Sequence, residues 1–289
     1  MTEDETEPTF IRSWLSSSGG EIAKVFSTGS SYIVRYVDVA DFALTRDGRD
    51  IRVLREITTD PLTLSRVREN QIVPMAMALR GQLVVHASAV DINGRCAAFC
   101  GPSGRGKSTL ATALALAGHA FLTDDGLRVE SVDNVYWGWP RAALLGLRTE
   151  SYAYFSSFGA FGMDAFEPSL HGKKTSVSAG DSIPHVASKL QVAGLYFLGN
   201  RDVVDANICR IAQRAVIQQL LSNTFVLDTT DRVALARHFG QISALAAAVP
   251  CFELNYPRSF AMLDSVVTTV REHVVTLAQS ADTPSVRHR

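Results

Sequence analysis

Two periods of apolar residues alternate along this chain of 289 residues, and the change from one to the other divides it. Between residues 23 and 55 the apolar positions fall in short segments (23–27, 32–37, 42–45 and 51–55) of the kind that form half-buried strands. Arg46-Asp47-Gly48-Arg49-Asp50 separates the last two and predicts a hairpin or meander. Over 62–80 the period lengthens to that of a helix, through Val67, Ile72, Met75, Met77 and Leu79. Residues 1–80 therefore read as a small β-rich lobe closed by one helix. Residues 1–20 look frayed, ending in Ser16-Ser-Ser-Gly-Gly20.

A larger α/β unit is expected over 81–278. Gln82 to Val90 is an apolar strand, and Asn93-Gly94 turns it into a second apolar run, Arg95-Cys-Ala-Ala-Phe-Cys100. Residues 107–117 are rich in Ala and Leu and read as a helix stopped by Gly118. The strand after it ends in Asp124-Asp125. Trp137-Gly-Trp-Pro140 reads as a turn, and 150–190 gives no clear element. Further strands are expected at 192–198 and 251–255, and helices at 212–224, 231–248 and 258–278. Residues 279–289 read as a flexible tail.

Between the second strand and the first helix lies Gly101-Pro-Ser-Gly-Arg-Gly106-Lys107-Ser108, which fits Gly-x-x-x-x-Gly-Lys-[Ser/Thr]. In that strand–loop–helix context the backbone N–H groups and the positive end of the helix dipole face a bound anion. Gly101, Ser103, Gly104, Arg105, Gly106, Lys107, Ser108 and Thr109 would then surround the phosphates of ATP. Lys107 would reach the β- and γ-phosphates, and Ser108 would join a Mg²⁺ shell. A helix of about ten residues spans roughly 15 Å. A strand of four or five residues returns about as far. Asp124 and Asp125 thus come back to the level of the loop on a neighbouring strand. One would bind Mg²⁺ and the other would take a proton from an attacking hydroxyl. The competing reading makes Asp124-Asp125-Gly126 a plain hairpin turn. His86 is either a satisfied core histidine or a residue at the mouth of the site. Arg141, Lys173 and Lys174 are candidates to neutralise phosphate charge, against the plainer reading of solvated loop cations.

Composition narrows the field. The formal net charge is −1, so nothing marks a basic footprint for nucleic acid or an anionic membrane. Cys96, Cys100, Cys209 and Cys251 form no paired metal-ligand clusters and read as reduced core thiols. The acidic start, Met1-Thr-Glu-Asp-Glu-Thr-Glu, has no signal-peptide character, and no apolar run nears the roughly 20 residues that cross a bilayer. A cytoplasmic protein is expected.

Val85-His86-Ala-Ser-Ala-Val90, Asp91-Ile-Asn-Gly94, the glycine loop and Gly118-His119 through Asp124-Asp125 together resemble the catalytic domain of HPr kinase/phosphorylase and HPr-kinase-like serine kinases. A looser likeness runs through Lys173-Lys174, Tyr196 and Val249-Pro250…Tyr256-Pro257. With its β-rich N-terminal lobe the chain is also similar to kinases that phosphorylate a serine of a ribosomal precursor such as a lasso peptide. The resemblance implies a P-loop kinase core with a mixed sheet and phosphoryl transfer from Mg-ATP to a serine hydroxyl of a protein or precursor peptide. It places His86 near the transferred phosphate and gives the Asp pair the roles of base and metal contact. The downstream glycine- and glutamate-bearing signature of HPr kinases is absent, as is their usual N-terminal domain, so HPr itself is not implied as substrate. Homo-oligomer formation is left open. Two other functions fit the same residues: a kinase for a small hydroxyl compound such as free serine, and a nucleotide-gated binding module.

Overall fold

The computed structural model describes residues 7–15, 19–142, 144–161, 174–178 and 183–282. Five strands, β1 (Thr9–Leu15), β2 (Glu21–Ser27), β3 (Ser31–Tyr36), β4 (Ala40–Thr45) and β5 (Ile51–Glu56), form an antiparallel sheet in sequence order. β1 lies where fraying is expected, yet it pairs with β2 from Thr9↔Ser27 to Leu15↔Glu21. Alternation gathers Ala23, Val25, Tyr32, Val34, Phe42 and Leu44 into one buried core. The helix expected there is α1 (Pro61–Val67) and α2 (Val73–Leu79), joined by a π turn over Arg68–Ile72. Asp60 starts it by accepting the N–H groups of Leu62 and Thr63. Pro74 has no N–H for the carbonyl four residues back, and the ladder widens just ahead of it. Val67, Ile72, Met75 and Ala76 close the lobe's core.

The rest of the chain runs β6 (Leu83–Val85), β7 (Ala87–Ile92), β8 (Arg95–Cys100), α3 (Lys107–Leu116), β9 (Ala120–Thr123), β10 (Leu127–Val132), β11 (Val135–Trp139), β12 (Leu144–Arg148) and α4 (Thr149–Ser156). It continues with β13 (Lys174–Ser178), β14 (Leu190–Leu198), β15 (Asn207–Arg210), α5 (Gln213–Ser222), α6 (Arg232–Ala248), β16 (Cys251–Asn255) and α7 (Leu263–Asp282). Nine strands make one mixed sheet in the order β6-β10-β11-β14-β8-β7-β9, with β16 beside β14 and β15 beside β16. β14 is parallel to β8 and β16, while β7 is antiparallel to both β8 and β9. Because β6 and β7 are one segment broken at His86, the sheet curls back on itself. β12 and β13 pair separately.

The central strands are buried on both faces. From β8, Ala97 and Phe99 enter the core shared with α3 and α7, while Cys96, Ala98 and Cys100 enter the core shared with α5 and α6. Trp137-Gly-Trp lies inside β11 and is not a turn. A Cβ on Gly138 would stand 3.0 Å from the Cys96 sulfur and 3.1 Å from Leu127, so glycine serves close packing there. α7 continues to Asp282, past the end expected at 278. Cys96, Cys100 and Cys251 are buried thiols, the last pushed up to about 12 by burial, whereas Cys209 is exposed. No helix of the described residues is long and apolar enough to cross a membrane.

Burial holds His119, His238 and His273 below the ordinary histidine value, helped by Arg271 at His119 and by Arg237 at His238. The unfolded chain then binds more protons than the folded one as pH drops through about 6.5, so stability rises with pH there. Melting temperatures are expected to be level above about pH 7 and to decline from about pH 6.5 downward. A calorimetric melt at pH 5.5 as high as that at pH 7.5 would contradict this.

Candidate functional site

The glycine loop joins the end of β8 to the start of α3, so the motif sits between a strand and a helix. Gly106 precedes the helix at φ 96°, in the left-handed region, and no side chain caps the first turn. A Cβ on Gly106 would also stand 3.0 Å from the Tyr256 hydroxyl. Lys107 is buried, and its Nζ donates to the Gly101 carbonyl at 2.8 Å, folding the side chain back over the loop. α3 ends as expected. Gly118 takes φ 95°, and the His119 N–H reaches back to the Leu114 carbonyl at 3.1 Å.

β9 brings the Asp pair to the same end of the sheet as the loop. It does so one strand further away than the neighbouring place expected, because the Asn93-Gly94 hairpin lays β7 between β8 and β9. That inserted strand contributes to the site. Asp124 is 1% exposed and accepts from donors on three other elements. The Ser88 hydroxyl on β7 reaches it at 2.5 Å, the Ser108 hydroxyl at 2.9 Å and the Gly146 N–H on β12 at 3.0 Å. Asp125 follows in the left-handed region at φ 57°, a conformation found sparingly outside glycine and concentrated at functional sites. Its Oδ1 lies 3.0 Å from Nε2 of His86, which occupies the break between β6 and β7. With the ring proton on Nε2, His86 donates to Asp125. The plain-hairpin reading of Asp124-Asp125-Gly126 fails, since β9 pairs with β7 and β10 pairs with β6 and β11.

A cleft of about 190 Å³ opens beside the first turn of α3. Arg105, Lys107, Arg148, Arg201 and Arg258 line it, and among the described residues no acidic side chain does. Thr109, also lining it, bonds Ser151 at 2.9 Å. Arg258 stacks 3.5 Å from the Tyr256 ring centroid and donates to the Tyr256 carbonyl at 2.9 Å. Burial pulls Arg258 below the ordinary arginine value; Tyr256 opposes this, and the positive charges of Arg105 and Arg201 add to it. A polyanion in the cleft would relieve that crowding.

Of the residues singled out from sequence, Gly104, Arg105, Gly106, Lys107, Ser108 and Thr109 meet at the cleft. Asp124 and Asp125 adjoin them through Ser108 and His86. Ser103 is exposed on the loop and is not among the cleft-lining residues. Arg141 departs from expectation. Its guanidinium is mostly buried, donates to the Glu69 carbonyl and the Met77 sulfur, and pairs with the Glu69 carboxylate at 3.8 Å. It therefore ties the N-terminal lobe's helix to the sheet and does not line the cleft. Lys173 lies outside the described residues, and the backbone of Lys174 pairs with that of Arg148. Sequence reasoning gave no role to Ser88, Gly146, Arg148, Arg201 or Arg258. Ser88 alone had a local signal, being two residues after His86 and so on the same face of an extended segment.

No family model matches the chain, and no curated protein matches it. Among solved structures, the HPr(Ser) kinase/phosphatase from Coxiella burnetii aligns with 68% of this chain and 98% of its own at 15% identity and a TM-score of 0.39.

Proposed function

We propose that the protein is an ATP- and Mg-dependent kinase that transfers the γ-phosphate to a serine hydroxyl of a protein or ribosomal precursor peptide. The observation that carries this reading is the contact of the Ser108 hydroxyl with Asp124 at 2.9 Å. A loop serine and an acidic side chain at the end of a nearby strand are the pair that holds magnesium in P-loop enzymes. Their oxygens suit that ion, which favours hard ligands and keeps water and phosphate oxygens in its shell. Bound there, Mg²⁺ would neutralise phosphate charge.

The two carboxylates then divide the work. Asp124, occupied by Ser88, Ser108 and Gly146, holds the metal side. Asp125, held by His86 with that ring part-exposed, is the base that accepts the acceptor's proton. The acceptor oxygen forms the new bond to phosphorus, and the bond to the bridging oxygen breaks with its electrons passing to ADP. Lys107 would leave the Gly101 carbonyl for the β- and γ-phosphates, and the N–H groups of α3's first turn would face the anion.

The test is incubation with γ-labelled ATP and Mg²⁺, comparing a serine-bearing peptide with free serine. Acid-stable label in the peptide is expected. Label in free serine alone would move the reading to a small-molecule kinase. Bound ATP with no turnover towards either acceptor would favour a binding module.

A further inference from the structure

Arg148 enters the site from β12, a strand with no motif to announce it. Leu145 and Leu147 are fully buried in the core shared with α3, so alternation turns Gly146 and Arg148 to the opposite face. The backbone N–H of Gly146 reaches Asp124. The Arg148 guanidinium rests over the glycine loop, so close that a Cβ on Gly104 would overlap Nη2 and stand 3.0 Å from Cζ. Three residues on, Ser151 bonds Thr109 in the first turn of α3 at 2.9 Å. The segment 146–151 is thereby pinned to the Asp pair, the loop and α3 at once. Arg258, by contrast, donates to the Tyr256 and Gly199 carbonyls. Among the described residues the Arg148 guanidinium has neither a hydrogen-bond acceptor nor a carboxylate partner.

We propose that Arg148 is a catalytic residue whose guanidinium takes up charge on the phosphoryl group in flight between ATP and the acceptor hydroxyl. The proposal rests on the phosphotransfer reading above. As the bond from the γ-phosphorus to the bridging oxygen breaks, its electron pair passes to that oxygen, and the acceptor's proton passes to Asp125. Negative charge accumulates on the bridging and equatorial oxygens over the middle of the loop, where Arg148 lies. A planar fork of N–H donors with no other partner among the described residues matches those oxygens. A cation held ready at that place contributes mainly in the transition state.

The experiment compares binding of MgADP alone with MgADP plus aluminium fluoride, a mimic of the planar phosphoryl group, by calorimetry. Wild type, Arg148→Ala and Arg148→Lys are measured. Arg148 is exposed, so its removal leaves the core intact, and a thermal melt of each variant checks this. Arg148→Ala is expected to bind MgADP within about threefold of wild type while losing about 100-fold or more of the added affinity conferred by aluminium fluoride. Arg148→Lys should recover only part of it, because a point charge lacks the fork. Equal losses for both ligands would make Arg148 a ground-state nucleotide contact and overturn the proposal. So would an enhancement that survives intact in Arg148→Ala. If wild type binds MgADP but gains nothing from aluminium fluoride, the phosphotransfer reading itself fails, and this role with it.

Discussion

Replacing Asp125 with asparagine is expected to slow phosphoryl transfer by about 10²- to 10⁴-fold, the usual worth of a positioned general base. The substitution is well suited to isolating chemistry. Asparagine has nearly the shape of aspartate and tolerates the left-handed backbone that Asp125 adopts at φ 57°. Its amide oxygen can still accept from His86, so the ring stays in place. What it lacks is a basic oxygen for the acceptor's proton. MgATP affinity should stay within about threefold of wild type, so that the loss falls on kcat. A rise in KM for ATP with kcat intact would instead make Asp125 a nucleotide contact.

Asp124→Asn should fail differently. Its carboxylate faces the hydroxyls of Ser88 and Ser108 and the Gly146 N–H, with 1% of the residue exposed. The asparagine oxygen can keep the Gly146 N–H while its amide turns to Ser88, whose hydroxyl accepts as well as donates. The fold therefore survives, but the negative charge beside Ser108 is gone. If Asp124 holds the metal as proposed, its loss should cost more than the 10- to 100-fold typical of outer-shell changes, and the Mg²⁺ needed for half-maximal activity should rise by about 100-fold or more. Activity restored by raising Mg²⁺ would confirm that the defect lies in the metal. An unchanged Mg²⁺ requirement in Asp124→Asn, together with a raised one in Asp125→Asn, would exchange the two roles.

These two residues were readable in sequence as a pair because they are local to the glycine loop: one helix and one short strand separate them from it, and element lengths fix the return. The division of roles proposed for them was not readable. It depends on Ser88 and His86 from β6–β7 and on Gly146 from β12, and these meet the pair only through sheet register. The same limit explains the cations. Arg148, Arg201 and Arg258 converge on the cleft from three separated parts of the chain, and no spacing links them. Arg141 shows the converse error. Its place after Pro140 suggested a free loop cation, but the segment runs against the N-terminal lobe's helix, where Glu69 claims the guanidinium. Strands were missed where residue type misled: Trp137-Gly-Trp reads as a turn until Gly138 is seen packed against Cys96. β1 was hidden by the polar run that follows it, although Phe10 and Trp14 mark a strand in hindsight.

The measurement that bears most directly on the account is calorimetric binding of ATP to wild type and to Lys107→Met, each with and without Mg²⁺. Micromolar binding, strengthened by Mg²⁺ and weakened by about 100-fold or more in Lys107→Met, is the predicted result, since in the proposed reading the lysine carries the loop's charge to the terminal phosphates. Absence of ATP binding to wild type, or equal affinity in Lys107→Met, would show that the loop between β8 and α3 does not hold a nucleotide.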